Sequence, residues 1–330
     1  MLNNILIFRT DRVGDLIVTC PAIITIKEYL VNPKITIITS EKNYKYAKDL
    51  KIFDEILIYP KKGFIKRTLF TMRLARNKFQ YIFIFDGKER SVITSFFIKS
   101  RFKVALLQSI KFYHKLSKIK FFEDTEKTNL TEIFQKMLNY CSINTDINNY
   151  DFIKLKKDNN FSKKLPIDRY IHIHLDEKWF SNLYIKSYTN INPQYDDFID
   201  FINSISIHSD IIITTGVTDT SVIDQLKEKF FKKIDEKIFH IKNSGKSIYL
   251  IYKPSFEDIE SLLRKAKTLI SCHGSVTHVA NSLGVKKIDI LEENKIEFYK
   301  RFTSYLKNYY PIYRSNFTHL KTLILKTIKE

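Results

Sequence analysis

Short apolar runs alternate with longer segments of helical periodicity along almost the whole chain. The apolar runs are typical of strands covered on both faces of a sheet, and they lie at residues 4–8, 35–39, 55–59, 81–85, 102–107, 170–174, 210–215, 268–271 and 287–291. Apolar residues at helical spacing occupy residues 16–29, 65–78, 90–99, 130–140, 221–232, 256–266 and 318–329. This alternation predicts an α/β protein built on parallel sheets.

The length of 330 residues is more than one hydrophobic core usually fills. A polar section at residues 151–164, followed by Pro166, is typical of a linker. We therefore predict two doubly wound, Rossmann-like domains, over residues 1–164 and 165–330, that face a central cleft at the carboxyl ends of their strands. The C-terminal helix could cross back to the first domain.

Several classes of protein are disfavoured by composition. No stretch approaches the roughly 20 apolar residues that a membrane-spanning helix needs, and the N-terminus lacks the basic lead and cleavage site of a secretory signal. The three cysteines, Cys20, Cys141 and Cys272, form no CxxC pair. A reduced, cytoplasmic setting is therefore expected.

The formal net charge is +19, and most of the surplus is concentrated in one window. Residues 61–120 contain 16 Lys and Arg but only two acids, Asp86 and Glu89, so this window alone carries 16 − 2 = +14. Such a block attracts nucleic acid, an anionic lipid surface or a phosphorylated substrate. The alternative is a set of solvated, Lys-rich helix faces.

Glycines mark the candidate binding turns. Only seven occur, and four of them, Gly14, Gly87, Gly216 and Gly274, lie just past the carboxyl ends of predicted strands. At those positions the backbone must turn sharply or approach a ligand, which glycine allows. Ordinary tight turns would explain any one of them, but four together favour a ligand cleft.

The first motif runs from Ile5 to Ala22, where a strand ends in a polar turn and Asp15 opens a helix. A carboxylate in that place can accept a proton from a substrate hydroxyl. Alternatively, Asp15 caps the helix and complements its dipole.

The second motif, residues 267–285, is a strand, a turn at Gly274 and a helix. Free N–H groups at such a helix start bind phosphate, and Ser275, Thr277 and His278 could add hydrogen bonds. The alternative is a plain helix start with a packed His278. A zinc site from His273 and His278 is disfavoured, because their spacing places them on different helix faces.

The third motif, residues 172–179, follows the first strand of the second half. Lys178 could neutralise a diphosphate at a cleft edge, although a solvated surface lysine is the alternative. Trp179 is expected to pack. The segment Ser244–Gly245–Lys246–Ser247 lacks the earlier glycine of a phosphate loop, since position 240 is His, and we predict a turn there.

Together these motifs resemble those of glycosyltransferase family 9, the ADP-heptose:lipopolysaccharide heptosyltransferases. The family's N-terminal pattern of an apolar strand, R-x-D-R-x-G-D and a helix with P-A is intact over residues 5–22. Residues 79–91 are similar to its second motif, Lys178-Trp179 to its K-x-W segment shortened by one residue, and residues 255–291 to its block with D-T-G-x-x-H-x-A. The resemblance is discontinuous along the chain.

The resemblance implies the GT-B fold, with the acceptor in the first domain and the nucleotide sugar in the second. It implies an inverting glycosyltransferase that transfers a heptose-type sugar, from ADP-heptose, to a lipopolysaccharide core or related glycolipid. No cluster has metal-ligand spacing, so metal independence is expected, and no cofactor. The implied roles are Asp15 as catalytic base; Lys178, Gly274, Ser275, Thr277 and His278 at the donor diphosphate; Gly216 and Thr218 on the nucleotide side; and Arg12, Lys61, Lys62, Asp86 and Arg90 at the acceptor.

The expected partners are a nucleotide sugar and an anionic glycolipid or glycan, with peripheral contact at the cytoplasmic face of an inner membrane as a further hypothesis. No RNA-binding motif occurs, so nucleic acid is not expected. Two departures from the family pattern touch the donor pocket. His273-Gly274-Ser275 stands where the family has D-T-G, and Thr218, next to Asp219, stands where it often has an acid.

These departures leave two alternatives open. One is a transferase of the same fold that uses another nucleotide sugar for polysaccharide or glycan synthesis. The other is a non-catalytic, polyanion-binding α/β protein that uses its basic window.

Overall fold

The computed structural model describes residues 3–107, 118–125 and 128–329 and divides the chain into two units. Unit 1 comprises Met1–Lys157 and Glu297–Tyr305, and unit 2 comprises Asp158–Ile296 and Leu306–Glu330. The first change of unit falls within the polar section at residues 151–164. The segment that returns to unit 1 is Glu297–Tyr305, whereas the C-terminal helix packs in the core of unit 2 through Phe317, Leu320 and Ile324.

Unit 1 is built on six parallel strands in the order β3-β2-β1-β4-β5-β6. The strands are β1 (Asn4–Arg9), β2 (Lys34–Thr39), β3 (Glu55–Ile58), β4 (Phe79–Ile84), β5 (Ser100–Leu107) and β6 (Lys120–Glu123). The helices are α1 (Val13–Tyr29), α2 (Glu41–Leu50), α3 (Phe64–Ala75), α4 (Glu89–Phe96) and α5 (Leu130–Tyr140), together with most of α10 (Ile296–Thr303).

The centre of unit 1 is the pair formed by β1 and α1. Strand β1 lies between β2 and β4, where Ile7 is paired with both Ile37 and Phe83. Helix α1 is buried without interruption from Leu16 to Ile26, as expected of a helix that is apolar on all sides. The strand order reverses between β1 and β4, so the turns after these strands lie at the switch point where open α/β sheets bind ligands.

Unit 2 is built on an eight-stranded sheet in the order β14-β13-β12-β7-β8-β11-β10-β9. Its strands are β7 (Tyr170–Leu175), β8 (Ile211–Thr215), β9 (Lys232–Lys233), β10 (Ile238–Asn243), β11 (Lys246–Ile251), β12 (Ala266–Cys272), β13 (Lys286–Leu291) and β14 (Tyr309–Tyr313). Its helices are α6 (Tyr195–Ser206), α7 (Ser221–Gln225, followed by a π-helical turn Leu226–Phe230), α8 (Phe256–Leu263), α9 (Ser275–Ser282) and α11 (Phe317–Lys329).

Six strands of this sheet run parallel, while β10 and β9 are added antiparallel at one edge. The order reverses between β7 and β12, so the turns after Leu175 and Cys272 flank the switch point of unit 2. The core contains Trp179, which is fully buried and whose Nε1 donates to the His174 carbonyl at 2.8 Å. The prediction that Trp179 packs is thus confirmed.

The predicted doubly wound α/β fold is confirmed, and every predicted strand is present within a few residues of its expected bounds. The predicted turn at 244–247 is the β10–β11 hairpin, with positive φ at Ser244 and Gly245. Among the described residues, five strands and three α-helices were not predicted: β6, β9, β10, β11, β14, α2, α6 and α10. Among the described residues, no helix combines the length and the apolar character needed to cross a bilayer.

Candidate active site

In unit 1, the turn after β1 is organised by the buried side chain of Arg9. Its Nε donates to the carbonyl of Asp15 at 2.9 Å, and Nη1 donates to the carbonyl of Phe85 and lies 3.3 Å from the Asp11 carboxylate. One guanidinium thus ties the end of β1 to the start of α1 and to the end of β4. The arrangement fixes the backbone that carries Asp11 and Asp15.

Asp15 is the third residue of α1, and its carboxylate has a structural contact. Oδ2 accepts a hydrogen bond from the backbone N–H of Arg12 at 3.1 Å, and Oδ1 lies 4.0 Å from Arg9 Nη2. Asp15 therefore caps the start of α1, as the alternative interpretation predicts. Because 38% of the side chain stays exposed and Asp15 lines a pocket, capping does not keep this carboxylate from a substrate.

Asp86 is buried behind residues that line the pocket, and only 1% of it is exposed. Its Oδ2 accepts hydrogen bonds from the Thr10 N–H, the Thr10 hydroxyl and the Ser91 hydroxyl at 3.2, 2.6 and 2.8 Å, and Oδ1 accepts from the Lys88 N–H at 3.1 Å. The positive φ of Gly87 (57°) gives the turn that brings the Lys88 N–H back to this carboxylate. Asp86 therefore supports the turn, and it is not among the residues that line the pocket.

The pocket has a volume of about 350 Å³ and opens at the carboxyl ends of β1, β2, β3 and β4. Its lining carries five cationic and three anionic side chains and is therefore basic overall. The lining residues are Thr10, Asp11, Arg12, Asp15, Ser40, Glu41, Lys42, Tyr59, Lys61, Lys88 and Arg90. Among the predicted acceptor residues, Arg12, Lys61 and Arg90 line it. Lys62 is exposed and is not part of the lining.

Arg90 is held in place from two sides. Its Nη2 donates to the Thr10 hydroxyl at 2.9 Å and to the Thr10 carbonyl at 3.2 Å, and the guanidinium lies over the Tyr59 ring, 5.3 Å from its centroid. A guanidinium fixed in this way presents cationic charge to the pocket without a large loss of side-chain entropy on binding.

Asp11 is the most perturbed acid of the pocket. Burial raises the pKa of its carboxyl to about 6, in spite of the opposing attraction of Arg9, and the nearby carboxylates of Asp15 and Asp86 add to the rise. Its Oδ1 is buried and has no hydrogen-bond partner. Asp11 is therefore the acid of this pocket whose pKa lies furthest above that of an ordinary carboxyl.

In unit 2, the turn after β7 carries Lys178 and Asp176. The Lys178 ammonium lies 2.7 Å from Asp176 Oδ2, and the Lys178 N–H donates to Oδ1 at 3.1 Å. Burial alone would lower the pKa of Lys178, but the Asp176 carboxylate raises it above its ordinary value. Lys178 thus remains a cation at neutral pH, and with 19% of its side chain exposed it is not a freely solvated surface lysine.

The turn after β12 lies directly against this ammonium. A Cβ built on Gly274 would be 2.7 Å from Lys178 Nζ, so any larger residue would push the cation away. Helix α9 begins at Ser275, and the first N–H groups of a helix have no partner within it. One cation and one helix start thus adjoin the same backbone position, an arrangement suited to an anionic group.

The other predicted residues of this turn are engaged inside unit 2. The Thr277 hydroxyl is fully buried and donates to Asp289 Oδ1 at 2.9 Å. The His273 Nδ1 lies 2.7 Å from Asp289 Oδ2. His278 is 5% exposed with its ring 5.2 Å from that of His273, and burial, followed by the charge of His273, holds its pKa well below the ordinary range. Thr277 thus supports the turn, while Ser275 remains half-buried at the helix start.

The nucleotide-side residues follow β8. Gly216 donates its N–H to the Leu175 carbonyl at 3.2 Å, and a Cβ on it would lie 3.0 Å from the Asp176 Cα, so glycine is required for this close approach. Thr218 is half-buried. The adjacent Asp219 is engaged by the Lys253 ammonium and the Tyr252 hydroxyl, each at 2.6 Å.

Two further histidines lie on β7. Burial lowers the pKa of His172 to about 3 and that of His174 to about 4, and both rings are hydrogen-bonded to the Thr214 hydroxyl, at 2.8 and 2.9 Å. Over the described ranges, no three His, Cys, Asp or Glu side chains are grouped as a metal ion would require.

Sequence reasoning missed Asp176 and Asp289 in unit 2. In the unit 1 pocket it missed Thr10, Asp11, Ser40, Glu41, Lys42, Tyr59 and Lys88. Ser40 and Tyr59 directly follow β2 and β3, so the rule that ligands bind at the carboxyl ends of parallel strands could have found them without a glycine to mark the turn. Asp176 also directly follows a strand. Asp289 lies inside β13, where the sequence gives no such signal.

No protein-family model matches the sequence, and no curated protein is significantly similar to it. The fold is nevertheless similar to solved structures. A glycosyl transferase family 9 protein from Veillonella parvula aligns with a TM-score of 0.68 at 14% identity over 99% of this chain and 89% of that chain. The E. coli heptosyltransferase WaaC with ADP aligns with a TM-score of 0.70 at 13% identity over 98% of this chain and 99% of that one.

The UDP-GlcNAc 2-epimerase from Methanocaldococcus jannaschii is also similar, with a TM-score of 0.57 at 13% identity over 100% of this chain and 92% of that one. At these identities the likeness shows the fold. The chain therefore has the GT-B fold, the architecture of family 9 glycosyltransferase structures.

Proposed function

We propose that this protein is an inverting glycosyltransferase that transfers a sugar from a nucleoside-diphosphate sugar to a hydroxyl of an anionic glycan or glycolipid. The observation that carries the proposal is the pairing of Lys178 with the Gly274–Ser275 turn at the switch point of unit 2. A lysine ammonium and the free N–H groups of a helix start, next to the same residue, can together bind the negatively charged diphosphate.

In the proposed reaction, Asp15 accepts the proton of the acceptor hydroxyl. The acceptor oxygen attacks the anomeric carbon from the face opposite the diphosphate, a new C–O bond forms, and the bond from that carbon to the diphosphate oxygen breaks with its electron pair on the leaving group. Lys178 and the α9 N–H groups stabilise the negative charge that develops there. Charge stabilisation by these groups makes metal independence part of the proposal.

The acceptor is assigned to the basic pocket of unit 1. Its five cationic side chains favour a substrate with carboxylates or phosphates, and Arg90 is already held in place by Thr10 and Tyr59. Three buried free cysteines fit a reducing, cytoplasmic location.

For the donor we propose ADP-heptose and for the acceptor a lipopolysaccharide core or a related glycolipid. Support comes from the order of turn, base and helix in the N-terminal motif, and from similar structures of E. coli heptosyltransferase WaaC solved with ADP and with ADP-2-deoxy-2-fluoro heptose. A specific observation favours another nucleotide sugar as the second candidate. His273, engaged by Asp289, occupies the place of the family's acid, which changes the donor pocket.

The deciding experiment is mass spectrometry of products formed from a panel of nucleotide sugars and the host's own glycolipid, with and without EDTA. Product with ADP-heptose alone supports the first candidate, and product with another donor supports the second. A folded protein that binds no nucleotide sugar and forms no product would instead support a non-catalytic polyanion-binding protein.

A further inference from the structure

Helix α3 has an outer face that the described residues leave uncovered. Only Leu74 of its twelve residues is buried, whereas four large apolar side chains are strongly exposed: Phe64 (85%), Ile65 (72%), Leu69 (60%) and Met72 (52%). At 100° per residue these four fall within an arc of about 140°. Exposed Thr68 also lies within this arc. A helix face that points to water is normally polar, so four large apolar side chains on one face mark a contact surface.

The opposite side of α3 explains why the helix is held in this orientation. Phe70 and Leu74 point into the core of unit 1, and the Phe70 ring contacts Tyr59 edge-on at 5.6 Å between centroids. These two residues project about 180° from the centre of the apolar stripe. The fold therefore anchors one side of α3 and presents the other.

The segment that carries the stripe has only positively charged ionisable side chains. Residues 61–78 contain seven Lys and Arg and no Asp or Glu. Lys61, Lys62 and Lys66 are exposed, while Arg73 is paired with Glu55 of β3 and Arg67 donates to the carbonyls of Pro60 and Lys61. An apolar stripe bordered by lysines is the pattern of a helix that lies in the interface of an anionic bilayer.

We propose that α3 binds peripherally to an anionic lipid membrane, with Phe64, Ile65, Leu69 and Met72 inserted among the acyl chains and the neighbouring lysines at the headgroups. A second copy of this chain is a poorer occupant, because seven like charges would face seven more. Lys61 lines the unit 1 pocket next to this helix, so a membrane-held glycolipid would enter from the same side. Only that last consequence rests on the proposed function; membrane binding does not.

The test is co-sedimentation with vesicles of phosphatidylcholine alone and of phosphatidylcholine mixed with phosphatidylglycerol. The wild-type protein should bind the mixed vesicles at least tenfold more tightly. The double variant Phe64→Gln/Leu69→Gln should lose at least tenfold in affinity for them, and Lys66→Glu should lose a smaller factor. Ile207→Gln and Lys237→Glu, at exposed positions of unit 2, are the matched controls and should bind as the wild type does.

Insertion is read separately by Trp fluorescence, because the one native Trp is buried. The emission of Phe64→Trp should shift to the blue with mixed vesicles, and that of Ile207→Trp should not. Equal binding to both vesicle types, or unchanged binding of the double variant, would overturn the proposal. Self-association that the double variant abolishes, without vesicle binding, would assign the stripe to a second copy. Vesicle binding without any transfer would refute the proposed function alone.

Discussion

The Lys178 ammonium occupies the space that a side chain at Gly274 would need: a Cβ there would lie 2.7 Å from Nζ. The φ of Gly274 is 176°, extended backbone that any residue can adopt, so the conflict with a larger residue is steric and is with the Lys178 ammonium. Because Gly274 has no side chain, the Lys178 ammonium can lie against the backbone of this turn.

Gly274→Ala should therefore displace Lys178 and weaken nucleotide-sugar binding by about tenfold, which corresponds to about 1.4 kcal/mol. Isothermal titration with the preferred donor measures the effect. The control is a double-mutant cycle: on a Lys178→Met background, Gly274→Ala should cost little more, because the displaced group is already gone. Fully additive losses would show that Gly274 acts independently of Lys178.

Lys178→Met should reduce both donor affinity and stability. It leaves the Asp176 carboxylate, 5% exposed, without its ion pair, which costs on the order of 3 kcal/mol. Thermal denaturation and donor titration follow the two effects separately. Adding Asp176→Asn should restore much of the thermal stability but none of the donor affinity. If the double variant regained both, the lysine would have a purely structural role.

Asp15→Asn should lower kcat by about 10²- to 10⁴-fold, the usual contribution of a general base, with donor affinity unchanged. Asparagine keeps an oxygen that can accept from the Arg12 N–H, so its melting temperature should stay close to that of the wild type. Asp15→Ala should lose the same activity and, in addition, about 1 kcal/mol of stability with the cap. A kcat of Asp15→Asn within threefold of the wild-type value would refute the base assignment.

The raised pKa of Asp11 predicts that the stability of the protein depends on pH. Its pKa is raised to about 6 in the fold from 3.8, so its stabilising protonation is complete below pH 3.8 and is lost as the pH rises through 6. Asp11→Asn, which cannot ionise, should gain about 1.4 kcal/mol relative to the wild type between pH 5 and pH 8. Thermal melts at both pH values measure this gain. Asp146→Asn, at an exposed site, should show no such change.

Much of the fold could be predicted, because buried parallel strands such as β1, β4, β7 and β12 are apolar almost throughout. The missed elements had weaker patterns for physical reasons. Strand β14 contains Pro311, which an edge strand tolerates because one of its sides makes no ladder hydrogen bonds. Helix α2 buries only Asn43, Tyr46, Ala47 and Leu50 and is otherwise polar.

The candidate site was predicted where a turn follows a strand and is marked by glycine, as at Gly216 and Gly274. What could not be predicted is how each side chain is engaged. Asp86 and Thr277 belong to the predicted motifs, but their positions beneath the turns depend on Ser91 in one case and Asp289 in the other. The local sequence pattern does not specify which residues form such contacts.

The return of Glu297–Tyr305 to unit 1 has a consequence for synthesis. The Tyr305 ring stacks on Tyr150 with centroids 4.6 Å apart, and Arg301 is hydrogen-bonded to Asp124. A chain emerging from the ribosome has exposed all of residues 1–157 long before either partner exists. Unit 1 therefore completes its packing only after nearly all of unit 2 has been translated, although most of unit 1 is synthesised first.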